Sequence, residues 1–182
     1  MRFLKKLIIQ NRFLNDLVFN KGLFIKFNLR QLLFNLAINF LSGKKQGKFS
    51  FAHFSSQIIK PENIILQGKN KGSFSSFVLS GGCYIQGGNG VTIGDNVIFA
   101  PRVSIISANH GDDREKSWVT DSSKSVIIGD DCWLGVGCTL LPGSRIPNGC
   151  TVGAGAVVNK AFTEENMLIV GVPAKAIKKN KE

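Results

Sequence analysis

The sequence predicts an all-β fold in which the chain coils as a triangular prism of short parallel strands, with a basic helical segment before the prism and a short helix after it. Three observations support this prediction. Aliphatic residues recur at every sixth position, small residues follow them at a fixed distance, and one polar insert interrupts the pattern. A period of six matches neither an α-helix nor an isolated strand, but it suits a chain that makes one strand and one turn on each side of a prism.

The repeat is unbroken from residue 128 to residue 158. The inward positions of successive hexads are Ile128, Leu134, Leu140, Ile146, Val152 and Val158, and the small positions are Cys132, Cys138, Ser144, Cys150 and Ala156. Upstream, the same spacing joins Ile93, Phe99 and Ile105. Three hexads complete one coil, so residues three hexads apart should stack on neighbouring coils. The predicted stacked pairs are Ile128 with Ile146, Leu134 with Val152, Leu140 with Val158, and Cys132 with Cys150.

The chain has four cysteines, Cys83, Cys132, Cys138 and Cys150, and none of them forms a CxxC pair. We interpret the three that lie in the repeat as small inward residues, because free cysteine is among the most often buried residue types. Reduced thiols agree best with a cytoplasmic protein.

The repeat breaks between Ile105 and Ile128, which are 23 positions apart. The insert over residues 106–126 is polar and must leave the prism, and its first residues include Asn109 and His110. A long loop in an otherwise tight solenoid is usually functional or disordered. The insert is therefore the first place to look for a site.

Several motifs together resemble one known family, the hexapeptide-repeat acyltransferases, and in detail its galactoside and maltose O-acetyltransferase branch with the polysaccharide relatives. The matching motifs are Thr92–Val97, Asn109-His110, Ile128–Gly135, Val152–Lys160 and Gly171–Lys178. The resemblance covers about residues 72–179. It implies a left-handed parallel β-helix, acetyl-CoA as the acyl donor without a metal, and a homotrimer with active sites in the clefts between prisms.

The resemblance implies that His110 is the catalytic base, because it stands at the start of the loop that carries the active site in this family. A neutral imidazole can take the proton of an attacking alcohol near pH 7, and a backbone N–H can stabilise the negative charge that develops on the carbonyl oxygen. His53, the other histidine, lies in a Phe-rich stretch and is interpreted as structural. Because the chain has two histidines in all, a zinc carbonic anhydrase with three histidine ligands is disfavoured. Asp112 and Asp113 are interpreted as solvated loop charges.

The resemblance also implies binding residues. Asn109 either binds the acceptor or shapes the loop, and Trp133 either packs on the coil or lies beside the acceptor. The family positions that contact the donor correspond to Gly135, Val136, Ala154, Lys160, Pro173, Lys175 and Lys178. One departure concerns the acceptor, because residues 80–90 show no secure equivalent of the polar acceptor-binding residue of the galactoside enzymes.

Residues 1–48 carry ten basic side chains and one acidic side chain, which accounts for +9 of the net charge of +11. Apolar residues at helical spacing are interleaved with these cations. Such a segment can lie in a membrane interface or can cap the first coil, and both interpretations stay open. We expect no membrane-spanning helix, because the uncharged run over residues 31–43 is shorter than the roughly 20 residues that a spanning helix needs. Without a nucleic-acid-binding motif, the charge does not indicate a nucleic-acid partner.

The sequence therefore predicts an acetyl-CoA-dependent O-acetyltransferase that acts on a sugar hydroxyl of a cell-surface polysaccharide or its precursor. The predicted organisation is a basic helical segment (1–48), a β-helix domain (49–165) and a strand with a short helical tail (166–182). We expect the protein in the cytoplasm, with any membrane contact at the inner face. Two alternatives remain, an acetyltransferase of a free sugar or an antibiotic, and a non-catalytic β-helix scaffold.

Overall fold

A computed structural model describes residues 29–44, 46–69, 71–111 and 120–179. One α-helix, α1 (Leu29–Leu41), precedes the strands, and a second, α2 (Lys71–Leu79), interrupts them. In chain order the strands are β1 (Gln57–Ile59), β2 (Ile64–Leu66), β3 (Tyr84–Gln86), β4 (Val91–Ile93), β5 (Ile98–Phe99), β6 (Ser104–Ile106), β7 (Val126–Ile128), β8 (Trp133–Leu134), β9 (Thr139–Leu140), β10 (Arg145–Ile146), β11 (Thr151–Val152), β12 (Val157–Val158), β13 (Met167–Val170) and β14 (Lys175–Lys179). Short 3₁₀ turns cover Gly47–Phe49, Pro61–Asn63 and Ser122–Lys124.

These strands form three sheets around one core, so the described chain is a parallel β-helix. The first sheet has the order β1-β3-β6-β9-β12, the second β10-β7-β4-β2, and the third β14-β13-β11-β8-β5. Apart from the β13–β14 pair, the strand pairs are parallel. The chain moves from the first sheet to the second, then to the third, and then back to the first.

The predicted stacking of the coils is confirmed. The register pairs Ile128 with Ile146, Leu134 with Val152, and Leu140 with Val158. All six of these side chains point inward and are buried. Full burial of one such aliphatic side chain contributes about 1.5–3 kcal/mol, so the repeated column is the main source of stability.

Helix α2 takes the place of the third side in the first coil, between β2 and β3. It buries Phe74, Phe77 and Val78, which stand at helical spacing on one face. Two serines, one in the helix and one directly after it, give β5 the hydrogen bonds that a neighbouring strand would supply. The Phe99 N–H donates to Ser76 Oγ (2.9 Å), and the hydroxyl of Ser80 donates to the Phe99 carbonyl (2.6 Å).

Helix α1 lies against residues 49–56 and closes this end of the prism. The buried side chain of Asn35 donates to the carbonyls of Phe51 (3.3 Å) and Val78 (3.0 Å), and that of Asn39 donates to the carbonyls of Ser50 and Ala52. These amides satisfy backbone acceptors that have no strand above them. The first 28 residues of the predicted basic segment lie outside the described residues. In the part of the chain that the structure describes, no helix combines the length and the hydropathy of a membrane span.

The predicted short helix at the C-terminus is wrong. Residues 175–179 form β14, which pairs antiparallel with β13. The physical reason is that β13 is the last parallel strand of the third sheet, and its outer edge leaves backbone groups without partners. A strand that folds back satisfies those groups, whereas a helix of this length is not stable on its own.

The four cysteines are buried as free thiols. Burial raises the pKa of Cys132 and of Cys138 to about 12, and it also raises the pKa of Cys83 and Cys150. The interpretation of the repeat cysteines as small inward residues is therefore confirmed. At neutral pH these thiols stay protonated, and thiols in that form are poor nucleophiles.

Candidate active site

The polar insert leaves the prism at the corner between the first and the second sheet. Its outgoing end runs through Asn109, His110 and Gly111, and its returning end enters the 3₁₀ turn Ser122–Lys124 before β7. Asp112 and Asp113 fall in the part of the insert, residues 112–119, that lies outside the described residues.

A cleft of about 560 Å³ opens at this corner. It is lined by Asn89, Asn109, His110, Gly111, Asp121, Lys124, Leu141, Pro142 and Asn159. These residues come from the insert and from the turns after β3, β9 and β12, which stack along the same corner of the prism. The cleft therefore runs along the prism axis beside the insert and is long enough to contact several coils.

His110 and Asn109 are exposed to solvent at the cleft. An imidazole in this place can reach a hydroxyl group of a molecule that enters the cleft. Asp121 contributes a carboxylate, because hydrogen bonds from the hydroxyl and the N–H of Ser123 hold the pKa of Asp121 below its ordinary value. The positive charge of Lys124 acts in the same direction. The cleft thus combines one imidazole, both signs of charge and several amide groups, a set that suits a polar, hydroxyl-rich ligand.

The predicted donor residues Gly135, Val136 and Ala154 lie at a different corner, between the third and the first sheet. The coils approach closely here, since a Cβ at Gly135 would lie 2.6 Å from the backbone nitrogen of Ala154. The Gly155 N–H donates to the carbonyl of Val136 (2.9 Å), while the side chains of Val136 and Ala154 are exposed. The absence of a side chain at Gly135 is therefore required for the stacking of this corner.

Pro173 extends the same corner by one coil. It is exposed in the turn after β13, and the next residue, Ala174, donates its N–H to the carbonyl of Val157 on β12 (2.8 Å). We call the row formed by Gly135, Val136, Ala154 and Pro173 the glycine edge.

The predicted phosphate-binding lysines do not lie together. Lys160 follows β12 at the corner of the cleft, with its ammonium 5.3 Å from the centroid of the Phe162 ring. Lys175 is exposed at the start of β14, two residues after Pro173. Lys178 belongs to the same strand, and its side chain is outside the described set. Of these lysines, Lys175 is the one that stands beside the glycine edge.

Trp133 lies on the third sheet and not in the cleft of its own chain. Its side chain points outward from β8, is 55% exposed, and stands in register between Ile98 and Thr151. Within one chain, the structure therefore does not bring Trp133 to His110.

His53, the second histidine, does not line the cleft. Its ring stacks on Phe54, and its Nδ1 is 2.9 Å from Ser55 Oγ. Partial burial, and then the charge of Lys44, lower the pKa of His53. These contacts agree with the structural interpretation of this residue.

Of the polar side chains that line the cleft, sequence reasoning missed four, namely Asn89, Asp121, Lys124 and Asn159. A signal for Asn89 was available, because it follows Ile85 by four positions just as Asn109 follows Ile105 by four. The structure pairs Ile85 with Ile105, so the two asparagines leave their strands at equivalent places on neighbouring coils. The other three residues follow no such spacing.

Comparison with known proteins places these features in context. Residues 125–160 match a protein family described as bacterial transferase hexapeptide (six repeats). The chain is 40% identical over 99 residues to the putative lipopolysaccharide biosynthesis O-acetyl transferase WbbJ of Escherichia coli K12, a match that covers 49% of this chain and 50% of that protein. It is 35% identical over 86 residues to the galactoside O-acetyltransferase of Lactococcus lactis IL1403, covering 46% of this chain and 40% of that protein.

Among solved structures, a point mutant of AntD, an N-acyltransferase from Bacillus cereus in complex with a dTDP-amino sugar and coenzyme A, superposes with a TM-score of 0.52. The identity is 18%, over 71% of this chain and 80% of that chain, so this likeness concerns the fold alone. The chain spans about half the length of the curated relatives that it matches.

Proposed function

We propose that this chain, whose residues 125–160 match the hexapeptide transferase family, is an acetyl-CoA-dependent O-acetyltransferase of a carbohydrate hydroxyl. The family resemblance in its sequence motifs is confirmed by the match over residues 125–160 and by relatives that carry the names of the same branch. The left-handed coil that this family implies is part of the proposal.

One observation carries the proposal: His110, in the outgoing end of the insert, is exposed and lines a polar cleft. In the proposed reaction the acceptor hydroxyl attacks the thioester carbonyl while His110 takes the hydroxyl proton. The new C–O bond forms, the C–S bond breaks, and the imidazolium returns the proton to the departing thiolate. Asn109, Asp121, Lys124 and Asn159 are placed to bind the ring hydroxyls of the acceptor.

The glycine edge and Lys175 are the proposed donor site, and because this corner is not the corner of His110, we propose that the thioester meets the His110 of a neighbouring chain in the trimer proposed below. Val136, Ala154 and Pro173 are exposed along this edge, which suits a long pantetheine arm, and Lys175 is a cation beside it for the 3′-phosphate. Lys178 on the same strand is included because of its position in the sequence motif. Lys160 is the weaker candidate, because it stands at the corner of the cleft.

The test is a turnover assay with the purified full chain, acetyl-CoA and a panel of glycans and free sugars, with products located by mass spectrometry. Acetylated product is expected. A donor that lacks the 3′-phosphate should have a KM about fivefold higher than that of acetyl-CoA, the effect of one exposed ion pair. Lys175→Ala and Lys178→Ala should remove this difference between donors and should leave kcat unchanged.

Lys69→Ala, at an exposed lysine between β2 and α2, is the matched control and should keep the difference. If neither product nor donor hydrolysis appears with any acceptor, the chain is a scaffold and the proposal fails. If the difference between donors persists in the Lys175 and Lys178 variants, the donor phosphate lies elsewhere.

The proposed active unit is a homotrimer. The outward column of the third sheet supports this, because Ile98 and Trp133 are about half exposed on adjacent strands and form an apolar strip. Burial of the strip by a second chain would also bring Trp133 of one chain towards the cleft of another. Light scattering is expected to give three times the mass of one chain, and Trp133→Lys should lower the measured mass. A fully active monomer would contradict the proposal.

We further propose that the acceptor is a cell-surface polysaccharide or its lipid-linked precursor, and that the protein binds this acceptor at the cytoplasmic face of a membrane. Helix α1 supports this, since Phe34, Phe40 and Leu41 are exposed on its outer side at 50%, 60% and 77%. Arg30 is exposed on the same helix, and most of the other cations of residues 1–48 precede it in the sequence. Apolar and basic groups on one surface are typical of an interfacial helix.

A further inference from the structure

Both ends of the polar insert are attached to one short stretch of chain, the end of β3 and the turn that follows it. Gln86, the last residue of β3, is 4% exposed, and its side chain faces the outgoing end of the insert. Its Oε1 accepts hydrogen bonds from the N–H groups of Ser107 (3.1 Å) and Ala108 (2.9 Å). Its Nε2 donates to the carbonyl of Ala108 (2.9 Å). Gln86 thus holds the two residues that come directly before Asn109 and His110.

Asn89 contacts both ends of the insert at once. Its Nδ2 donates to the carbonyl of Ser107 (2.9 Å), and its Oδ1 accepts from the N–H of Asp121 (2.9 Å). The hydroxyl of Ser107 donates to the carbonyl of Gln86 and accepts from the N–H of Asn89, both at 2.9 Å. The side chain of Asn89 therefore joins residue 107 to residue 121, across the part of the insert that carries His110.

Burial of the Gln86 amide carries a free-energy cost unless its polar atoms form hydrogen bonds. The bonds to Ser107 and Ala108 meet that requirement. Gln86 pairs in register with Ile106, which marks the end of the regular repeat. The polar side chains thus begin at the point where the chain must be directed out of the prism towards the cleft.

We propose that Gln86 and Asn89 are positioning residues that form a clamp and hold His110 in the geometry for proton transfer. The inference rests on the proposed acetyl-transfer function. The nitrogen and the oxygen of the Asn89 amide each bind a backbone group of the insert, so this residue can act on His110 through the insert. A displacement of about 1 Å at a reacting group can cost about 100-fold in rate, so the stem of the insert must be rigid.

The experiment uses Asn89→Ala in the full chain, with Asn148→Ala as the matched control. Asn148 has the same kind of bonds at another corner, since its Oδ1 accepts from the N–H of Asp130 and its Nδ2 donates to Glu165. In Asn89→Ala, amide exchange at Asp121 should accelerate at least about tenfold, because that N–H loses its acceptor. The kcat should fall about 10–100-fold with KM for acetyl-CoA within about twofold.

Asn148→Ala should accelerate exchange at Asp130 and leave kcat unchanged. Should Asn89→Ala fail to fold, Asn89→Asp replaces it, because the carboxylate keeps the acceptor for Asp121 and loses the donor to Ser107. An unchanged exchange rate at Asp121 in Asn89→Ala overturns the clamp, and so does an unchanged kcat in Asn89→Ala or, where it is used, in Asn89→Asp.

A third readout separates the clamp from the proposed function. The imidazole resonances of His110 should shift in Asn89→Ala and stay constant in Asn148→Ala, whether or not the chain transfers acetyl groups. If the wild type shows no turnover, the proposed function is refuted but the clamp is not. If the His110 resonances have the same chemical shifts in Asn89→Ala as in the wild type, the clamp is refuted.

Discussion

Replacement of His110 by alanine is expected to lower the kcat of acetyl transfer by about 10²–10⁴-fold, the contribution of a general base. The substitution removes the imidazole at the mouth of the cleft, so the acceptor hydroxyl must lose its proton to water. The coils should be unaffected, because His110 is exposed and lies outside the hydrophobic core. The measurement is steady-state kinetics with acetyl-CoA and the best acceptor, together with a thermal unfolding curve.

His53→Ala is the matched control, since it removes the other histidine of the chain. It should leave kcat within a factor of about two, because His53 contacts Ser55 and Phe54 and stands outside the cleft. Wild-type turnover in His110→Ala would show that the base is another group. Equal losses in both variants would indicate a general effect on folding.

The full chain is expected to bind vesicles that contain anionic lipid and to ignore neutral vesicles. Each Lys or Arg near such a surface contributes about 1 kcal/mol, so even a few of the ten cations in residues 1–48 give strong binding. Binding should weaken steeply with salt, since the screening length falls from roughly 10 Å at 0.1 M to roughly 3 Å at 1 M. Sedimentation with vesicles at several salt concentrations measures the effect.

Two sets of substitutions separate charge from apolar contact. Glutamine at Lys5, Lys6 and Arg12 should reduce the binding and its salt dependence, whereas serine at Phe34 and Phe40 should weaken binding at every salt concentration. Ile177→Ser is the matched control, because Ile177 is equally exposed but lies on β14. If the wild-type chain does not bind anionic vesicles at low salt, α1 is a cap alone, and the proposal of a lipid-linked acceptor loses its main support.

The regular part of the solenoid was predictable from spacing because each coil repeats the same physical problem. One inward aliphatic residue per side determines the register, so the pairing of Ile128 with Ile146 follows from counting. Helix α2 was not predictable in this way. Its apolar residues have a helical spacing over only nine positions, and its place is decided by contact with β5, which is remote in the sequence.

The site was predictable only where a motif marked it. The Asn109-His110 pair stands at the interruption of the repeat, which composition and spacing both reveal. Asp121 and Lys124 lie in the returning end of the predicted insert, but no motif singled them out, and Asn159 reaches the cleft through the stacking of turns, which the spacing of single residues does not reveal. The C-terminal tail shows the same limit, because the partner of β14 is the open edge of β13 and not a local signal.

The position of the insert within the solenoid has a consequence for how this protein can change during evolution. Ile93 pairs with Ile128, 35 positions further on, whereas Ile128 pairs with Ile146, 18 positions further on. A doubling of the chain length between two paired strands costs only about 0.6 kcal/mol of loop-closure entropy. The coils above and below are held by their own neighbours, so residues can be added or lost beyond Ala108 and before Asp121 with little effect on folding. If the proposed function holds, changes in the length of this one loop can alter acceptor preference between related chains while the prism stays the same.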